Sequence, residues 1–188
     1  STVGLRSIKG ITTAQAISLM TCGHDKALHI LVEDDVAEAV LTEMLRKSDY
    51  LFLKTVKIHR TGDTKTIYAV KKALKDTGLP VAAVRDGDKS DSPADNIFKL
   101  PGSLPPEKEL LQSADVRGFF FQKYDFDTDS SAAAMNGVDH HEWFGHLSER
   151  ISINENALIQ QAAECYVNNL QANVTDTLVN LLKESIRR

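Results

Sequence analysis

Leu28-His29-Ile30-Leu31-Val32-Glu33-Asp34-Asp35 carries a strand-like run straight into three acids. A second run, Leu79-Pro80-Val81-Ala82-Ala83-Val84-Arg85, ends the same way in Asp86-Gly87-Asp88. After the first, Val36, Ala37, Val40, Leu41, Met44 and Leu45 recur at helical spacing, which predicts an amphipathic helix over 35–47. In a parallel α/β sheet both acid groups fall on the carboxyl edge, where such folds bind their ligands. That many carboxylates cannot stay ionised side by side without a cation to offset them. The pattern predicts a divalent-metal site, and the chemistry it suggests is phosphoryl transfer or phosphodiester cleavage.

The rest of the chain extends this alternation. Residues 50–58 are rich in β-branched and aromatic side chains and read as a second strand. Gly62-Asp63-Thr64 starts a helix whose buried stripe is Ile67, Val70 and Leu74, and Gly78 and Pro80 end it. The third strand covers 81–84 and a short fourth one 96–100. Between them lies a polar loop over 89–95. The turn Pro101-Gly102-Ser103-Leu104-Pro105-Pro106 leads into a helix over 107–114. Phe119, Phe120, Phe121, Tyr124 and Phe126 read as core filler, with base stacking as the alternative. Asp125, Asp127 and Asp129 lack the glycine and final glutamate of a calcium loop and read as solvated.

From Asp139 onward the pattern is helical. Asp139 with Glu142 opens a helix whose buried face is Trp143, Phe144, Leu147 and Ile151. Two more follow over about 155–170 and 175–187. The expected fold is α/β: a Rossmann-like parallel sheet of about four strands flanked by helices, with a C-terminal helical extension. The expected organisation is a lead-in over 1–27 with an apolar patch over 14–20, the α/β domain over 28–130, and the helical extension over 131–188. Leu178, Leu181, Leu182 and Ile186 share one side of the last helix, which serves either the domain's own core or a second copy of the chain.

The chain has 188 residues and a formal net charge of −4, so no global excess of positive charge marks a nucleic-acid binder. Locally, residues 54–76 hold seven lysines and arginines against two acids. This stripe reads either as a solvated helix face or as the track for a polyanion, with Lys57, Arg60 and Lys65 as DNA contacts. Cys22 and Cys165 are far apart and in no metal spacing, which fits a reduced, cytoplasmic protein. No run is long and apolar enough for a bilayer, and no signal peptide is visible. Ser1 in place of methionine suggests a trimmed chain or the tail of a longer protein.

Three carboxylates, Glu33, Asp86 and Asp88, make a magnesium site when water completes the shell. Gly87 between the two aspartates permits a sharp turn. Asp35, Glu38, Glu107 and Glu109 are the acids available for a second ion. Two ions ~3.5–4 Å apart would hold the attacking and leaving oxygens of a phosphodiester. Asp34 and Asp35 also stand where helix caps stand, and the helix dipole favours Glu107 in a first turn regardless of metal. His140 and His141 open the late helix, and His141-Glu142-Trp143-Phe144-Gly145 lacks the second histidine of a zinc-protease helix. They read as surface histidines, or as groups that shuttle protons or touch phosphate.

Leu31-Val32-Glu33 followed by Val84-Arg85-Asp86-Gly87-Asp88 resembles the Toprim domain of topoisomerases, bacterial primases and certain nucleases. The segment from Leu100 to Glu107 is similar to the Toprim region of the overcoming-lysogenisation-defect (OLD) nucleases. The resemblance covers about 28–111 and implies a metal-dependent DNA endonuclease or nickase of a phage-defence protein. It implies that Glu33, Asp86 and Asp88 bind magnesium (or manganese), and that Glu107 helps hold a second ion with Asp35 or Glu38. The glycine that often follows the glutamate is replaced by Asp34, and a further family acid is replaced by Ala37. For the family's downstream lysine, Lys123 and the cluster Asp139-His140-His141 are the candidates. No Gly-x-x-x-x-Gly-Lys-Ser/Thr run is present, so the resemblance implies an ATPase domain or subunit outside this chain. The first strand and its acids also resemble response-regulator receiver domains, with Asp86 as phosphoacceptor. A Toprim module that binds or assembles without cutting is the third reading.

Overall fold

Strand β1 (Leu28–Val32) is buried along its whole length, as a central strand covered on both faces must be. In this computed structural model the described residues are 27–76, 78–126 and 137–186. The apolar patch over 14–20, Cys22, Asp127, Asp129 and Arg187 lie outside the described residues. Helix α1 (Asp35–Ser48) follows β1, then α2 (Tyr50–Thr55) and β2 (Val56–Arg60). Helix α3 (Thr64–Asp76) leads to β3 (Val81–Arg85) and β4 (Ile97–Lys99). Helices α4 (Pro106–Gln112), α5 (Ala114–Tyr124), α6 (Trp143–Ile151), α7 (Glu155–Asn169) and α8 (Ala172–Ser185) complete the described chain.

The four strands pair in parallel in the order β2-β1-β3-β4. Register places Leu28 opposite Val56, His29 opposite Val81 and Ala83 opposite Ile97. This is the α/β, Rossmann-like architecture expected from the alternation of strands and helices. The period of two assigns the faces. Leu31, Val81, Ala83 and Ile97 meet Ile67 and Leu74 of α3. Leu28, Ile30, Val32, Ala82, Val84 and Phe98 meet the larger core.

In that larger core α1 is covered on two sides. It packs on the sheet and also against α7 and α8, which bring Leu158, Ile159, Ala162, Val167, Leu178 and Leu182. The late helices therefore close the same core as the strands. On α8, Leu178 and Leu182 are buried there and Leu181 packs against it, while Ile186, just past the helix end, stays exposed. The apolar side of this helix is used within the chain. Phe120 is fully buried in the same core, with Phe119 and Tyr124 at its edge. No described helix is long and apolar enough to cross a membrane.

One element differs from the reading of residues 50–58 as strand throughout. Its first half, Tyr50–Thr55, is helix α2, and β2 starts only at Val56. Asp49 is the cause. Its N–H closes α1 on Leu45 O at 2.8 Å, and its carboxylate accepts from Phe52 N at 2.9 Å, capping the next helix. Lys183 of α8 anchors the same carboxylate at 2.7 Å. A cap with two backbone duties outweighs the modest strand preference of Tyr50, Leu51 and Phe52. The fourth strand is also shorter than expected, because Asn96 adopts φ 53° and cannot extend it.

On the α3 side of the sheet, His29 Nδ1 and His59 Nε2 lie 2.9 Å apart with their rings stacked. Burial, then the charge of Lys57, lowers the pKa of His29. Burial, His29 and Lys57 lower that of His59 to about 4. Both shifts favour the neutral form of the pair.

Candidate metal centre

The turn after β1 is locked to the turn after β2. Thr61 donates to Val32 O through N and Oγ1, both at 2.9 Å, and Gly62 N donates to Glu33 O at 2.8 Å. Glu33 and Asp34 are thereby held at the carboxyl edge. Asp34 caps α1, its Oδ1 accepting from Ala37 N at 2.9 Å. Its other oxygen, Oδ2, is buried without a hydrogen-bond donor and lies 3.6 Å from His141 Nδ1.

Strand β3 delivers Asp86 to the same edge. Leu100 N donates to Arg85 O and Lys99 Nζ to Gly87 O, which fixes the Asp86-Gly87-Asp88 turn against the segment after β4. Gly87 is required by close approach as well as by the turn. A Cβ there would stand 3.0 Å from Pro101 O and 3.1 Å from Gly102 C and Leu104 O. All three are backbone atoms, so Gly87→Ala must shift the loop or the aspartates. The expected result is a loss of any metal-dependent activity by roughly ten- to a hundredfold with the chain still folded, checked by kinetics beside thermal melting.

Glu107 arrives from the other side, in the first turn of α4. Gly102 at φ 100° turns the preceding loop back, and Glu109 Oε1 pins it by accepting from Ser103 N at 2.7 Å and Leu104 N at 2.9 Å. Glu109 is a loop anchor here. Glu107 is only 1% exposed, and its Oε2 has no partner. Its Oε1 lies 3.0 Å from His141 Nδ1. One ligand atom each from Glu107, His140 and His141 lies within 4.8 Å of the others. Asp139 caps their short 3₁₀ turn through His141 N at 3.2 Å.

These groups share one electrostatic field. Asp86 is 3% exposed with Oδ1 unpartnered; burial, then Glu33, Asp34, Glu107 and Asp88, push its carboxyl up to about 7. Burial and Asp34 push Glu107 up to about 7, against the pull of a backbone N–H and His141. Burial opposes charge on His141, yet Glu107, Asp34 and Asp139 hold its pKa above the ordinary value. Lys89 is raised by its hydrogen bond to Asp88, at 2.8 Å, and by Glu33 and Asp86.

Among the described residues the structure brings ligand atoms of Glu107, His140 and His141 within reach of one ion, and it surrounds Asp86 with the charges of Glu33, Asp34, Glu107 and Asp88; Glu33, Asp86 and Asp88 do not form a ligand group of that closeness. It does not bring the other candidates there. Glu38 pairs with Arg60 at 3.1 Å, so an expected metal ligand and an expected DNA contact bind each other. Asp35 is not among the chief charges acting on Asp86 or Glu107. Lys123 donates to Gln161 of α7 at 2.6 Å and lies over the rings of Phe119 and Tyr124. Lys57 faces the histidine pair, and Lys65 lies exposed at the start of α3. Asp34 and Lys89 were missed as site residues. The signal for Asp34 was present in the acid run, but a cap uses one carboxylate oxygen and leaves the other free.

Three unpartnered buried carboxylate oxygens, on Asp34, Asp86 and Glu107, suit a hard divalent cation. Fold and site together define a Rossmann-like α/β protein with an acid and histidine cluster at the carboxyl edge of its sheet. No family model, curated protein or solved structure matches the chain.

Proposed function

We propose that the chain is a Mg²⁺- or Mn²⁺-dependent nuclease of Toprim type that hydrolyses phosphodiester bonds in DNA. The observation that carries this reading is that Asp86 and Glu107 are both buried, each with an unpartnered oxygen, and that the charges of Glu33, Asp34, Glu107 and Asp88 all bear on Asp86. In a chain whose core is well formed, such crowding of acids persists for function at the expense of stability. Glu33, Asp86 and Asp88 would hold one ion, and Glu107 would help hold another. Bound there, the ions supply Lewis acidity toward a phosphate and lower the pKa of water.

The chain's own groups do the rest. Asp86 and Glu107 exclude solvent from the inner side of the cluster by their burial. Lys89 lies at its rim, clamped on Asp88, and attracts a phosphate backbone. An ATPase partner and an OLD-like defence role belong to the same proposal and rest on the resemblance of Glu33, Asp86, Asp88 and the Leu100–Glu107 segment. Supercoiled plasmid incubated with the chain and Mg²⁺ or Mn²⁺, beside Asp86→Asn and beside chelator, tests the reading. Cleavage confined to the wild type with metal supports it; equal cleavage in all three samples ends it.

A further inference from the structure

We infer that Glu107, His140 and His141, with Asp34 beside them, form a nitrogen-containing metal position that takes a first-row transition ion such as Mn²⁺, Co²⁺ or Zn²⁺ in preference to Mg²⁺. Its place next to a catalytic ion rests on the nuclease reading; its ligands do not.

Three ligand atoms from these residues already lie within 4.8 Å of one another. Glu107 is 1% exposed, and its Oε2 meets no donor. Asp34 Oδ2 is buried in the same condition, 3.6 Å from His141 Nδ1. The spacing of Glu107 Oε1 and His141 Nδ1 is 3.0 Å. Two ligands bonded to one ion at ~2.1 Å and a right angle stand about 3 Å apart, so the edge of a coordination shell is already in place. His140 Nδ1 lies 3.2 Å from Asp139 Oδ1, the carboxylate contact that orients a ligating imidazole.

The ligand chemistry chooses the ion. Magnesium keeps oxygen ligands and water, whereas imidazole suits zinc, cobalt and other first-row ions. Glu33, Asp86 and Asp88 offer oxygen alone. The two positions therefore differ in kind: one is hard, and one carries nitrogen. The competing account makes His140 and His141 mere counter-charges to the acids, and it requires no nitrogen on any ion.

The test uses the whole chain and metal alone. Electron spin echo modulation of the protein loaded with Mn²⁺ should show ¹⁴N coupling in the wild type and none in His140→Gln/His141→Gln. In equilibrium binding the double variant should lose about tenfold or more in Co²⁺ affinity and less than about twofold in Mg²⁺ affinity. His141 is half exposed, so the variant keeps the core intact. Absent ¹⁴N coupling in the wild type, or unchanged Co²⁺ affinity in the variant, overturns the proposal. Nitrogen coupling in a chain that cuts no plasmid would retain this site and retire the nuclease; cleavage without nitrogen coupling would do the reverse.

Discussion

On the proposed nuclease reading, Asp86→Asn is expected to lower Mg²⁺-dependent plasmid cleavage by on the order of a thousandfold, equivalent to about 4 kcal/mol. The side chain is 3% exposed and sits among four other acids, so the substitution removes a charge and keeps the shape. A neutral amide still fills the space beside Gly87, and the turn held by Lys99 and Leu100 does not depend on the carboxylate. Loss of activity with an unchanged or raised melting temperature would assign the defect to the cation. A fall in melting temperature to match the lost activity would instead make Asp86 a structural group. Initial rates and melting curves of the same preparation decide between them.

Glu107→Gln should stabilise the chelated protein at pH 8 by about 3 kcal/mol, a rise of roughly 5–10 °C in melting temperature. Glu107 titrates near 7 in the folded chain and at an ordinary 4.5 when unfolded. Between those values the folded state holds more protons, so this group's contribution is fully present below pH 4.5 and is lost as pH rises through about 7. Asp86 acts in the same direction. His29 and His59 act in the other. Their pKa values are lowered, that of His59 to about 4, so their contribution is present above 6.5 and is lost as pH falls. The two linkages oppose each other over the mildly acid range and flatten the wild-type curve. At pH 8 the lowered pKa values of His29 and His59 no longer bear on stability, and the contrast between wild type and Glu107→Gln reads the loss of the Glu107 charge, including its push on Asp86 and its pull on His141. Equal melting temperatures for wild type and Glu107→Gln at pH 8 with chelator would contradict this account. Mn²⁺ or Co²⁺ should raise the melting temperature of the wild type more than that of the variant.

The strands that carry the acids were legible because each is a short apolar run ended by charge, a pattern set by neighbouring residues. The same local logic marked α1 and the buried face of α6. It failed at residues 50–55, where one aspartate caps a helix inside a segment of strand-like composition. The sequence placed Glu33, Asp86 and Asp88 just past the ends of strands, and the structure has Glu33 after β1 and Asp86 and Asp88 after β3. The meeting of Glu107 with His141 was not legible, since they lie 34 residues apart and no periodicity relates them. The pairing of Glu38 with Arg60 was hidden for the same reason: it depends on which turn lies beside which at the sheet edge.

Helix α1, wedged between the sheet and the two last helices, sets where this chain tolerates a cut. A polypeptide ended at residue 126 would keep all its described strands and Glu33, Asp34, Asp86, Asp88 and Glu107, yet present the outer flank of α1, with no Leu158, Ile159, Leu178 or Leu182 against it, to water. Such a bare oily flank seeks any other surface, and the fragment should precipitate or associate in place of staying monomeric. The acid-bearing edge of the sheet and the tail would then be inherited as one piece, and any recombination between them would have to carry both.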